Sequence, residues 1–370
     1  MGWLTGWQYR RPVTIDNTQN SNDLTDYQVL VVVDTASLIQ QGKMQADGDD
    51  IRFTDSDGTT LLPYWLEGPI NDANTKIWVK VPSIPAQGTK VIYFYYGNPT
   101  ASSESSVTDT FIREIDGAQP LKISFHMDEG SGGTVYDNSG NNNNGTIYGA
   151  VWDNDGRFGK ALKFDGVDDY VEVPHNSGIS GFEQLTVEFY FRTSTVKDAV
   201  MVGKHYGSTD GEFYVGTLSP TQLRFMTINS GSTRVEVNVS FNYATNQWFH
   251  CVGVYDGSLM QLFVNATLLG SNNQSGVLKS TTYPLRIAAY SGSSWRFNGL
   301  IDEVRIYRKA LTSAEISDLY NYYGYTTPNY AGRVLVRKRI DPEPTTSVGN
   351  EETSEVPIII AQRRLLIIGI

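Results

Sequence analysis

The chain is predicted to be all-β: an N-terminal antiparallel β-sandwich, then a larger jelly roll, then tail strands. Three observations predict it. Short apolar runs, alternating or β-branched, recur along most of the 370 residues and are broken by turn signals. The composition is turn-rich, with 35 Gly and 22 Tyr at 40% hydrophobic and only 19% charged residues. Two distant segments, Phe164-Asp-Gly-Val-Asp-Asp-Tyr-Val-Glu-Val-Pro174 and Gly299-Leu-Ile-Asp-Glu-Val-Arg-Ile-Tyr307, each set acidic residues beside an alternating strand. They bracket the larger domain, and its first and last strands are expected to meet there.

The first unit, residues 1–108, reads as six strands: 11–15, 27–33, 51–54, 62–66, 76–81 and 90–96. Asp57-Gly58, Gln87-Gly88 and Gly97-Asn98-Pro99 supply turns between them. Asp34 to Gly42 reads as a short helix ending on glycine. The serine-rich stretch 101–106 has linker composition, and residues 109–120 are expected to join the domains. Residues 121–325 carry about a dozen further strands, too many for a small sandwich and in keeping with a jelly roll. One helix stands out, with Thr312 as N-cap, Glu315 at the third helical position, and Ile316, Leu319 and Tyr320 on one face.

Residues 326–370 read as tail strands. Arg333-Val-Leu-Val-Arg-Lys-Arg339 alternates apolar with basic residues, a Pro- and Glu-rich spacer follows, and 356–370 is apolar but cut by Gln362-Arg363-Arg364. It falls short of the ~20 apolar residues of a membrane span. Two uses are equally open for it: the last strand of a local sheet, or a strand given to a neighbouring subunit.

A net charge of −11 and a pI near 4.9 exclude a nucleic-acid partner, which needs a basic face. Cys251 is the only cysteine, so no intrachain disulfide forms; its strand-like surroundings make it a buried hydrophobe. Met1 to Trp7 lacks the basic-then-apolar order of a signal peptide. The expectation is a mature chain, or one carried out inside a virus particle.

Several blocks carry a resemblance, in order: Asp128-Glu-Gly-Ser-Gly132, Asp137-Asn-Ser-Gly-Asn141 with Asn144-Gly-Thr146, Gly159-Lys-Ala-Leu-Lys-Phe-Asp-Gly166, Trp248-Phe-His-Cys-Val-Gly-Val-Tyr-Asp-Gly257, Leu262-Phe-Val-Asn265 and Gly299 to Tyr307. Together they resemble the laminin-G-like, concanavalin-A-like jelly rolls of bacterial and archaeal surface proteins. That scaffold serves lectins, adhesins, sensors and glycosidases alike. Gly6-Trp-Gln-Tyr-Arg-Arg-Pro12, Asp50-Ile-Arg-Phe53, Leu62-Pro-Tyr-Trp65 and Tyr93-Phe-Tyr-Tyr-Gly97 resemble a domain of unknown function that precedes such modules. No chemistry is assigned to it.

Two sites are expected. Loop acids Asp128, Asp137, Asp165, Asp168, Asp169 and Asp302, with Asn138, offer the hard oxygens of a structural calcium ion. The resemblance points first to Asp137 and Asp302. The open alternative is that these carboxylates cap turns and pair with Arg157, Lys163 or Arg305. For glycans, the candidate aromatics are Tyr148, Trp152, His205, Tyr206, Tyr290 and Trp295, with Asn229, Asn272 and Asn273 as hydrogen-bonding partners.

Catalysis has one hook. Glu114-Ile-Asp116 resembles the start of the Glu-x-Asp-x-x-Glu strand of glycoside hydrolase family 16, but Gln119 stands where the acid/base would be. The four histidines share no metal-binding spacing, and no nucleophile elbow or phosphate loop appears. The expected function is therefore non-catalytic recognition of glycans or surface polymers by an extracellular, cell-surface or virion protein. The alternative is a structural subunit of a filament, coat or tail fibre, self-associating through 356–370. A glycoside hydrolase comes third.

Overall fold

The structure, a computed structural model, describes residues 2–115, 120–206, 210–219, 221–290 and 295–354. It is nearly all antiparallel β-structure and divides into two compact units. Residues up to Thr110 and those from Pro342 form one; Phe111–Asp341 form the other. The second unit is thus inserted into the first in chain order. No helix among the described residues is long and apolar enough to cross a membrane.

The first unit has two sheets. The larger runs in the order Thr345–Val348, Tyr9–Asp16, Thr89–Tyr96, Arg52–Thr54, Leu61–Leu62, and Glu352–Thr353 also pairs with Tyr9–Asp16. The smaller contains Leu24–Val33, Thr75–Ile84 and Tyr64–Gly68. The single strand expected at 62–66 divides at Pro63, which has no N–H to give a ladder, so its halves serve different sheets. The helix Thr35–Gln40 forms where expected, with Asp34 accepting the Ser37 N–H at 2.9 Å. The serine-rich stretch does not behave as a linker. Ser105 Oγ accepts the Leu66 N–H at 2.8 Å and the Ser106 N–H donates to Tyr64 O at 2.8 Å, satisfying an open strand edge.

The tail is split between the units. Val334–Arg337 lies in the second, paired with Tyr323–Tyr325 and with Arg113–Ile115. Thr345–Val348 lies in the first, in register Val13↔Val348 to Asp16↔Thr345. The apolar strand expected at 356–370 lies outside the described residues, as do Asp116 and Gln119 of the glycosidase-like motif.

The second unit is a sandwich of two eight-stranded sheets. The front sheet runs Thr134–Val135, Gly145–Tyr148, Tyr170–Val173, Leu285–Ile287, Ala199–Tyr206, Asp210–Thr217, Gln222–Ile228, Arg234–Ser240. The back sheet runs Val151–Asp153, Ala161–Asp165, Asn298–Tyr307, Leu185–Arg192, Phe249–Tyr255, Leu259–Val264, Thr267–Asn273, with Leu121–Phe125 also on Asn298–Tyr307. First and last strands meet as expected, Leu162 opposite Ile301 and Asp165 opposite Asn298. Alternate residues from both sheets, among them Phe125, Phe164, Phe189, Phe213 and Phe225, fill the core between them.

The outer side of the back sheet is covered by the chain itself. The helix Ser313–Asn321, with the expected Thr312–Glu315 capping box, joins the small sheet of the tail in a second core that includes Val252, Val254, Leu319 and Val334. Beside this core lies a buried ionic cluster made by a β-bulge. Glu188 opposes Arg305 while Tyr190 opposes Asp302, so one extra residue fits between, and Glu303 takes φ 52°. Ile301 and Val304 both enter the main core, and Asp302, Glu303 and Arg305 are buried off it.

Arg305 donates to Glu188 Oε1 at 3.0 Å, to Gly324 O at 2.6 Å and to the Glu303 carboxylate. Tyr307 donates to Glu188 Oε2 at 2.6 Å, and His250 lies 3.2 Å from Glu188 Oε1. Burial would raise the Glu188 carboxyl, but Arg305, His250 and Tyr307 outweigh it and hold the group below the usual carboxylate range. Replacing Arg305 with Ala leaves two carboxylates buried without their cation. The expected loss is about 3–5 kcal/mol in urea unfolding of the second unit; a midpoint unchanged within error would show that the cluster contributes nothing.

Candidate functional site

With the back sheet covered, the outer face of the front sheet is the other broad surface of the sandwich. Strand alternation decides what it shows. Ile147, Val171, Leu285, Ile287, Phe213, Val215, Leu223, Phe225, Val237 and Val239 turn inward, so their neighbours turn outward. One row across the sheet, set by pairing, is Thr146, Glu172, Arg286, Gly203, Tyr214, Met226, Glu236. Tyr148 and Tyr170 form a second pair on the same face, stacked at 4.6 Å with planes 14° apart.

Two aromatic groups result. In the first, Tyr170 carries the Arg286 guanidinium 4.6 Å and the Arg296 guanidinium 5.2 Å from its ring centroid, while Tyr148 stays 43% exposed. In the second, Tyr290 and Trp295 lie over Val200, Tyr214, Met226 and Ile228 as a small satellite core. His205, Tyr214, Tyr290 and Trp295 meet there edge to face at 5.1–6.3 Å. Tyr206, beside His205, stacks on Tyr283 at 5.0 Å and is 48% exposed.

Of the six aromatic candidates, the structure brings five to this face or its rim: Tyr148, His205, Tyr206, Tyr290 and Trp295. His205 is not on a turn, as expected, but in the strand Ala199–Tyr206, only 5% exposed. It supports the aromatic layer from beneath. Trp152 belongs to the back sheet, packs against the main core and donates to Gly132 O at 3.1 Å. Asn272 and Asn229 are engaged locally, donating to Glu236 O and Ser275 O at 2.9 Å each.

The arginines of the face were not singled out in the sequence. Four of them, Arg224, Arg234, Arg286 and Arg296, stand against two carboxylates, Glu172 and Glu236. Arg286 holds Glu172 at 2.7 and 2.9 Å; Arg224 and Arg234 share Glu236 at 2.9 and 2.5 Å. The signal was present in Leu285-Arg-Ile287 and Arg234-Val-Glu-Val-Asn238, where charges occupy the outward phase of an alternating strand.

The acidic candidates separate by their donors. Asp137 Oδ1 accepts the Ser124 and Ser139 N–H groups at 2.9 Å, and Oδ2 accepts the Ser139 hydroxyl at 2.8 Å and the Asn143 N–H at 2.9 Å. Asp302 accepts from the Arg157, Phe158 and Glu303 N–H groups at 2.8–3.1 Å. Burial, then Glu303, pushes its carboxyl well above the usual range. Both residues organise loops through protein donors. Asp165 and Asp169 also accept backbone N–H groups, from Val167 at 2.7 Å and from Asp165 at 2.9 Å, but with Asp168 they are, among the described residues, the group whose carboxylate oxygens lie within 4.8 Å of one another. Burial and the charges of Asp165 and Asp168 raise the Asp169 carboxyl. These donors fit a hard cation, with Lys197, which donates to Gly166 O at 2.6 Å, as the opposing charge. Glu114 pairs with Arg333 at 3.0 Å and accepts the Tyr330 hydroxyl at 2.7 Å.

Residues 165–317 match the family model of the concanavalin A-like lectin/glucanases superfamily, and residues 47–127 match that of a domain of unknown function, DUF2341. A curated relative, adhesion G-protein coupled receptor V1 of Danio rerio, is 23% identical over 148 residues. The match spans 37% of this chain and only 2% of that receptor. Among solved structures, the binding domain of Paraclostridial Mosquitocidal Protein 1 is similar at TM-score 0.46 and 16% identity, over 57% of this chain and 55% of that one. Domain 4 of AbnA, a GH43 extracellular arabinanase from Geobacillus stearothermophilus solved with arabinotriose, gives 0.45 and 19%, over 54% of this chain and 98% of that one. The binding domain of botulinum neurotoxin serotype D gives 0.44 and 14%, over 55% and 52%.

His205 has a consequence for acid stability. Among the described residues neither ring nitrogen has a hydrogen-bond partner, and burial, then Arg234, lowers its pKa to about 4. The folded state therefore holds it neutral, while the unfolded chain takes a proton near the ordinary value of about 6.5. Its contribution is fully present above pH 6.5 and is lost as pH falls toward 4, by up to about 3 kcal/mol. Urea unfolding at pH 7.5 and 4.5 should show that His205→Phe loses less stability on acidification than the parent; equal losses would contradict the assignment.

Proposed function

Because the chain carries a laminin-G-like, concanavalin-A-like domain behind a domain of unknown function, we propose that it is a non-catalytic extracellular, cell-surface or virion protein that binds glycans or similar surface polymers. The binding surface is the outer face of the front sheet. One observation carries this reading: that face displays Tyr148, Tyr170, Tyr290 and Trp295 together with four arginines, while the opposite outer face is covered by the chain's own helix and small sheet. Exposed aromatic rings offer the apolar surface that sugar C–H groups need, and the arginines offer donors to hydroxyls. Absence of turnover is supported by the fate of the acids. Glu188 and Glu303 are enclosed with Arg305, and Glu114 is paired with Arg333.

A glycan array run beside a reducing-sugar assay tests the proposal. Binding without sugar release is expected, and Tyr148→Ala should weaken it by about tenfold, the ~1.4 kcal/mol scale of one hot-spot contact. Sugar release that vanishes on removing a carboxylate would sink the non-catalytic reading.

A structural calcium ion, in this proposal, belongs at Asp165, Asp168 and Asp169, where it would offset the neighbouring charges that raise the Asp169 carboxyl. Differential scanning calorimetry with excess calcium and then with chelator should show a lower melting temperature without the ion, and Asp168→Asn should abolish the difference. Coincident melting curves would remove calcium from the proposal.

A further inference from the structure

On the reading that this face binds saccharides, we propose that its ligand is acidic, with a sugar carboxylate taken by Arg296 while a sugar ring rests on Tyr148, which packs on the same tyrosine, Tyr170. The charge count of the face is the first support. Three of the four arginines have a carboxylate: Arg286 has Glu172, and Arg224 and Arg234 share Glu236. Arg296 has no such partner among the described residues, and its Nε and Nη1 are shielded from solvent without a hydrogen bond. A shielded donor left without an acceptor is costly, and more so on a charged group.

Placement is the second support. Arg286 and Arg296 both approach the ring of Tyr170, at 4.6 and 5.2 Å from its centroid. Two guanidinium groups therefore share one tyrosine, and only one has its counter-ion. An incoming anion satisfies the second. Nη2 of Arg296 is not among the shielded atoms and is the donor open to a carboxylate, which a guanidinium holds by charge-assisted hydrogen bonding. A neutral sugar has hydroxyls to offer but no charge, and would leave the cation uncompensated.

Tyr148 is the third support. It stacks on the far partner of the same cluster, Tyr170, and keeps 43% of its surface open. An exposed ring and an uncompensated cation thus both pack on Tyr170, the two kinds of contact a carboxylated sugar requires. The rest of the chain sharpens the contrast. A protein of net charge −11 repels an acidic polymer generally, yet on this face cations outnumber acids by four to two. Charge placed on this face favours one orientation of an acidic ligand as well as its affinity.

The test is calorimetric titration of the full chain with matched probes: an oligogalacturonate and its methyl ester, sialyllactose and lactose, and sulfated lactose. The acidic member of each carboxylate pair should bind about tenfold more tightly or better, a difference of ~1.4 kcal/mol that shrinks as salt is added. Arg296→Gln should bring the acidic member down to the affinity of its neutral partner. Arg296→Lys, which keeps the charge but not the guanidinium, should retain part of the preference. Neutral members that bind as tightly as acidic ones, both weakened by Tyr148→Ala, would overturn this inference and leave the glycan-binding function standing. So would a preference that survives in an Arg296→Gln protein melting at the parent temperature. Sulfated lactose binding more tightly than both carboxylates would overturn the carboxylate assignment. If no probe of either kind binds, the saccharide reading and this inference fall together.

Discussion

Arg305 is the group on which the second unit is organised. A guanidinium cannot lose its proton at any ordinary pH, so once the chain buries it, carboxylates must come to it. Glu188 comes from the neighbouring strand, directly opposite. Glu303 comes from the same strand, two residues back, and so projects on the same side as Arg305. The bulge settles the matter. By adding one residue it lets Ile301 and Val304 both serve the core while Asp302 and Glu303 turn off it. Asp302 then gathers the N–H groups of Arg157 and Phe158, and Gly324 O closes the cluster from the small sheet. Loop, sheet and tail are all tied to one buried ionic cluster.

That arrangement also decides which face is left for a ligand. The ionic cluster and the apolar core beside it need a cover, and the helix Ser313–Asn321 with the sheet of the tail supplies it. The front sheet receives no such cover from these elements. Its outward residues are instead large rings braced by arginines. Two glycines make this possible. At Gly203 a Cβ would lie 2.6 Å from Tyr214 Cβ, and at Gly211, φ +139°, it would lie 2.6 Å from His205 Cα. Removing the side chain at each point lets Tyr214 and His205 pack closely under Tyr290 and Trp295. The aromatic layer is thus held from below as well as at its edges.

Much of the framework was legible because it depends on local pattern. The alternation in Leu162-Lys-Phe164 and in Val304-Arg-Ile306, and the Thr312–Glu315 cap, all report structure within a few residues of themselves. What escaped depends on partners distant in sequence. The bulge left one trace, two apolar residues three apart in a strand whose period is two, and the trace was not used. The return of Thr345–Val348 to Tyr9–Asp16 had no apolar signal, since Thr-Thr-Ser-Val is an edge strand with little to bury. Asp137 carried the right residue type for a cation, but its carboxylate is taken by four donor groups, three in its own loop and one on the strand Leu121–Phe125. His205 counted in the sequence as a candidate ligand-facing aromatic, and only the neighbouring strands show that it is buried.

The return of the tail has a mechanical meaning. Tyr9 lies opposite Thr353 and Asp16 opposite Thr345, so the outgoing and returning chains leave this ladder at the same end. Tension between those points does not slide the strands past each other. It opens the ladder pair by pair, beginning at the contact where Arg10 holds Glu352 at 2.6 Å. Each step breaks only one or two bonds, a soft way for a sheet to fail. Until that ladder has parted, a load applied at Tyr9 and Thr353 bypasses Phe111–Asp341 altogether, and the front sheet can hold its shape while the chain on either side of it is pulled.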